Sequence, residues 1–92
     1  MLEKQIEAAV AKAARLNGWY CWKLASPALR GVPDRMFFKQ GQMVFIEFKA
    51  PKGIVSALQM EMLNLLRREG FEAHVAYTVQ EGLNILGIGR EI

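Results

Sequence analysis

The segment Met43-Val44-Phe45-Ile46-Glu47-Phe48 is almost unbroken apolar sequence. A run of this kind suits a central strand covered on both faces. It calls for a layered α/β domain, and 92 residues suffice for one such domain and no second. Hydrophobic residues make up 52% and charged residues 23%, which excludes a disordered chain. No apolar run approaches the ~18 residues of a membrane span. The opening Met-Leu-Glu-Lys-Gln-Ile-Glu has early acids and no apolar h-region, so no signal peptide is expected. Cys21 is the only cysteine, which excludes an intramolecular disulfide and a cysteine zinc cluster. An intracellular protein without a membrane partner is the expectation.

Leu2, Ile6, Ala9, Val10, Ala13 and Leu16 recur at helical spacing before Asn17-Gly18, predicting a helix over 2–16. The aromatic stretch from Trp19 to Ala25 reads as a first strand, and Ser26-Pro27 opens a loop running to Pro33. Asp34 to Lys39 and Gln42 to Phe48 read as a β-hairpin about Gln40-Gly41. Ser56 is a candidate N-cap for a second helix ending at Gly70. A fourth strand over 72–78 and a short helix over 79–86 complete the order αβββαβα. The last strand should run parallel to its neighbour, because a helical crossover precedes it.

Charge is unevenly distributed. The segment from Lys23 to Lys52 carries Lys23, Arg30, Arg35, Lys39, Lys49 and Lys52 against Asp34 and Glu47, a net +4, while the remainder sums to −1. A basic middle third is suited to phosphate contacts, and its two acids then need a reason.

The hairpin gives that reason a geometry. With a two-residue turn at Gln40-Gly41, paired residue numbers sum to 81, which sets Asp34 opposite Glu47. Their Cβ atoms should lie ~5 Å apart on one face, and Lys49 shares that face two residues on. A structural reading exists: Asp34 ends a turn after Pro33, and Glu47 pairs with Lys49 at the surface. It weakens because Glu47 sits within an apolar strand, where an uncompensated carboxylate is costly. Two close carboxylates plus waters suit a hard cation such as Mg²⁺.

Pro33-Asp34, then Glu47-Phe48-Lys49, follows the P-D…(D/E)-x-K pattern, and the chain resembles the PD-(D/E)XK nuclease superfamily. Lys23…Ser26-Pro27…Gly31-Val32-Pro33-Asp34-Arg35, Ile46-Glu47-Phe48-Lys49-Ala50 and Ser56…Gln59 narrow the resemblance to the VRR-NUC (virus-type replication-repair nuclease) family in its stand-alone form. The resemblance implies one nuclease domain over 1–92 with a restriction-endonuclease-like αβββαβ core, a mixed four-stranded sheet flanked by helices. It implies that Asp34, Glu47 and the Phe48 backbone carbonyl bind catalytic Mg²⁺ or Mn²⁺, and that Lys49 acts on the attacking water and the phosphate. A glutamate of the first helix completes the acidic set: Glu7 fits best by its spacing to Gly18, with Glu3 the alternate. Gln59 matches the glutamine that orients toward the site.

Lys23, Arg30, Arg35 and Lys52 are candidate DNA phosphate contacts. Trp19, Tyr20 and Trp22 read as packing or a subunit interface in preference to base stacking, His74 as packed, and Cys21 as inert. The expected function is a metal-dependent DNA endonuclease, similar to Holliday junction resolvases and acting as a homodimer. If of phage origin, it would work in the cytoplasm of a bacterial host. A nonselective nicking nuclease and a non-catalytic DNA-binding module of the same fold are the alternatives.

Overall fold

Ile6, Val10 and Ala14 line one stripe of α1 (Glu3–Leu16), and all three are buried. The computed structural model describes residues 1–25 and 27–89. The Gln5 side chain accepts from the Leu2 backbone N–H at 2.9 Å and caps α1 at its start. At the other end Asn17 donates to the Ala13 carbonyl, and Gly18 at φ +84° turns the chain into β1 (Tyr20–Lys23). A loop then leads to β2 (Arg35–Lys39) and β3 (Gln42–Phe48). α2 (Ala57–Arg68), β4 (Glu72–Ala76) and α3 (Val79–Ile85) follow.

The four strands lie in the order β1-β2-β3-β4, antiparallel except for the parallel β3–β4 pair. This is the expected mixed sheet flanked by helices. Gln40 and Gly41 both have positive φ, +49° and +82°, as a two-residue type I′ hairpin turn requires. The register is the expected one, with Lys39 opposite Gln42 and Arg35 opposite Ile46.

Side chains alternate between the two faces of the sheet. Phe37, Val44, Ile46, Phe48 and Ala76 meet Ile6, Val10, Ala14, Trp19 and Leu86 in the main core. Gly82 of α3 lets the two helices on this side approach closely: a Cβ there would lie 2.6 Å from Val10 Cγ2. On the other face α2 packs mainly on β4, with Leu63 and Ala73 buried. That leaves Tyr20 and Trp22 on edge strand β1 exposed, with their rings against Phe38. An apolar cavity of about 150 Å³, lined by Leu24, Val32, Pro33, Phe45, Met62 and Leu66 among others, separates α2 from the loop before β2.

Some expected bounds are longer than the observed ones. Strand β1 begins after Trp19, which is buried in the core. Strand β2 begins after Asp34, whose backbone carbonyl still accepts from Leu24 N at 2.9 Å. Strand β4 ends at Ala76, before the Thr78 side chain caps α3 through Glu81 N. His74, expected to be packed, is half-buried beside Glu72. Of the segment expected to open the loop after β1, Ser26 lies outside the described residues.

Candidate active site

Asp34 sits where β2 begins and β3 ends. Its Oδ2 accepts from the Phe48 backbone N–H at 2.8 Å, so the Asp34 side chain itself fastens the two strands at this end. Within a strand, one residue's N–H and C=O leave along the same edge. The Phe48 carbonyl therefore lies on the Asp34 side of β3.

Glu47 is 2% exposed, and its two oxygens have different surroundings. Oε2 accepts from Gln59 Nε2 at 3.0 Å and lies 3.7 Å from Lys49 Nζ. Oε1 is buried with no protein partner, a costly arrangement for a carboxylate oxygen unless something else engages it.

Gln59 can make this contact because of where α2 starts. Ser56 Oγ accepts from Gln59 N at 3.1 Å, and Gln59 Oε1 accepts from Ser56 N at 2.9 Å. This reciprocal cap occupies the carboxamide oxygen and leaves the NH₂ group to face Glu47. One residue thus closes the helix end and orients a carboxylate.

A third carboxylate joins the pair. Ligand oxygens of Glu3, Asp34 and Glu47 all lie within 4.8 Å of one another, and this is the metal-compatible group found among the described residues. Glu3, the alternate in the sequence reading, is the helix glutamate brought to the cluster. Glu7 is placed differently from expectation: its Oε2 accepts from Arg35 Nε at 2.7 Å and from Lys23 Nζ at 2.9 Å. One turn of α1 separates the two glutamates, and α1 sets the earlier one beside Asp34.

The crowding has electrostatic consequences. Burial, and then the charge of Asp34, push the Glu47 pKa up to about 7, against the opposing pull of Lys49. Burial also raises Asp34, with help from Glu7 and Glu3 and against the Phe48 N–H. Burial would raise Glu7 too, but Lys23 and Arg35 more than offset it and hold that carboxyl below its ordinary value.

The residues fit a divalent cation. Three carboxylates converge, one presents a buried oxygen without a partner, and a main-chain carbonyl lies on the same side; all are hard oxygen donors.

The expected DNA contacts divide. Arg30 and Lys52 are exposed on loops. Arg35 is not available: its side chain is 15% exposed, and it donates to Glu7 and to Cys21 Sγ at 3.3 Å. Lys23 is 61% exposed but ion-paired to the same glutamate.

Comparison with known proteins places the fold and the family. Residues 3–80, which include every carboxylate of the cluster as well as Lys49 and Gln59, match the family model described as the VRR-NUC domain. Protein p44 of Acyrthosiphon pisum secondary endosymbiont phage 1, named as a candidate nuclease, is 40% identical over 50 residues. That stretch is 53% of this chain and 54% of the phage protein, so the chain spans about half the length of this curated relative. Two solved structures share the fold at 17% identity each. One, titled "VRR_NUC domain", has a TM-score of 0.84 and matches over 96% of this chain and 97% of that one. The other, "VRR_NUC domain protein", has a TM-score of 0.79 over 95% and 86%. With the family match spanning the site from Glu3 to Gln59 and both solved domains matching nearly the whole chain, this protein belongs to the VRR-NUC domain family.

Proposed function

We propose that this chain is a metal-dependent DNA endonuclease that hydrolyses phosphodiester bonds. The observation that carries the reading is Glu47 Oε1, buried and partnerless beside two further carboxylates. Membership of a nuclease family, and the name of the phage relative, support the reaction class. Glu3, Asp34, Glu47 and the Phe48 carbonyl would hold Mg²⁺ or Mn²⁺. When bound, such an ion lowers the pKa of a coordinated water and supports charge on the attacked phosphate.

The chain's own residues do the rest. Gln59 holds the Glu47 carboxylate by Oε2 and leaves Oε1 without a protein partner. Lys49, half-buried beside Glu47, supplies the positive charge that can hold the attacking water and stabilise the phosphate as charge builds on it. Arg30 and Lys52 contribute phosphate contacts that position DNA without reading its sequence.

The endonuclease acts as a twofold dimer selective for branched DNA. Support comes from edge strand β1, which among the described residues pairs only with β2 and displays Tyr20 and Trp22 to solvent. An isologous contact there buries one aromatic patch twice and presents two equivalent sites, as two coordinated incisions require.

The test sets supercoiled plasmid, linear duplex, flap and four-way junction side by side with Mg²⁺ and Mn²⁺. Asp34→Asn should abolish cleavage, because it removes a ligand to the catalytic ion, with the fold retained. Normal cutting by Asp34→Asn, or by the native protein in excess chelator, would refute the metal mechanism. Equal rates on plasmid and junction would refute structure selectivity in favour of nonselective nicking.

A further inference from the structure

Glu7 is 6% exposed, charged, and outside the carboxylate cluster. Its partners come from two strands: Lys23 closes β1, and Arg35 opens β2 directly after Asp34. Lys23 and Arg35 are themselves paired across the sheet. One carboxylate oxygen therefore ties α1 to the end of the sheet where the acids gather, with contacts of 2.7 and 2.9 Å. The other contacts of α1 with the sheet, through Ile6, Val10 and Ala14, are apolar and non-directional. Glu3 stands one helical turn before Glu7 on the same side, so the Glu7 contacts help determine where Glu3 lands.

Charge adds a second consequence. Arg35 directly follows Asp34, Lys23 is paired with Arg35 across the sheet, and Lys23 already acts electrostatically on Asp34. If Glu7 were neutral, the half-buried Arg35 would lose its carboxylate partner right beside Asp34, whereas Lys23, 61% exposed, can extend into solvent. A guanidinium bound there competes directly with a divalent ion.

We infer that Glu7 is a positioning residue for the metal centre. It locks α1 in the register that delivers Glu3, and it holds Arg35 away from the Glu3–Asp34–Glu47 group so that these carboxylates stay free for the cation. This rests on the metal-dependent reading above and assigns Glu7 no bond to the ion.

The test is Mn²⁺ binding to the free protein, followed by electron paramagnetic resonance, with circular dichroism to establish folding. The variants are Glu7→Gln and the charge-balanced pair Glu7→Gln/Arg35→Gln, whose two amides still bridge α1 and β2. Glu7→Gln should weaken Mn²⁺ binding about tenfold or more, the scale of a lost supporting contact. The double variant should recover to within about threefold of the native protein, because the freed guanidinium is gone. A double variant as weak as the single one would overturn the inference, and so would a single variant that binds normally. If Glu7→Gln alone fails to fold, the double variant decides: native-like affinity supports the role and weak affinity overturns it. Native protein that binds no Mn²⁺ overturns the metal reading itself, and this inference with it.

Discussion

Glu47 is the residue at which folding and function oppose each other most directly. Its folded pKa of about 7 exceeds the ordinary 4.5 because burial and Asp34 both penalise the charged form. The native state therefore binds the proton more tightly than the unfolded chain, and native stability in the absence of metal is greatest below about pH 4.5 for this group. It declines as pH rises through the window from 4.5 to about 7, by on the order of 3 kcal/mol in total. Asp34 and Glu3 add to the penalty and Lys49 opposes it. Glu47→Gln should remove most of that decline, so urea melts at pH 5 and pH 8 should converge for the variant while the native protein loses stability at pH 8. An unchanged pH slope in Glu47→Gln would contradict this origin. In the proposed reaction the proton and the metal compete for Glu47, so cleavage at limiting metal should rise with pH toward and past 7.

Among the elements, α1 and α3 show how a single side chain sets a helix approach. Gly82 faces Val10, and a Cβ would come within 2.6 Å of a valine methyl that is itself buried in the core. Gly82→Ala should cost about 1–3 kcal/mol through overpacking, despite the better helix propensity of alanine. Adding Val10→Ala should recover part of the loss by making room, leaving the double variant more stable than additivity allows. Thermal melts of the two single variants and the double variant check this; strict additivity would show that the two positions do not press on each other. At the start of α2 the Ser56–Gln59 cap has consequences in two directions, since it closes the helix and turns an amide toward Glu47.

For the whole molecule, the aromatic edge of the sheet is the feature that stays open to solvent. Tyr20 is 67% and Trp22 58% exposed, against Phe38 at ring separations of 5.3 and 5.0 Å. In the proposed dimer Trp22→Glu should place like charges near the twofold axis and yield a monomer by ultracentrifugation at micromolar concentration. Junction cutting should then fall while the circular dichroism spectrum stays native. A Trp22→Glu protein with the same sedimentation and junction activity as the native chain would remove β1 from the interface.

Much of the molecule is determined locally and could be read from the chain. The Gln40-Gly41 turn admits one hairpin register, and that register sets Asp34 against the Glu47 end of β3 before any packing is known. Apolar spacing likewise defines α1, and Ser56 with Gln59 marks the start of α2. The choice between Glu3 and Glu7 was not local. Both lie on one flank of α1, and which of them meets Asp34 depends on how far the helix has advanced along the sheet, which only contacts between elements decide. The use of Lys23 and Arg35 was hidden for the same reason. In the sequence they are two bases of a +4 segment; in the fold they lie against a buried carboxylate from another element, 28 residues from Glu7 in the case of Arg35. Periodicity and turn chemistry act over a few residues, whereas charges pair by distance in space, and only the tertiary structure sets that distance.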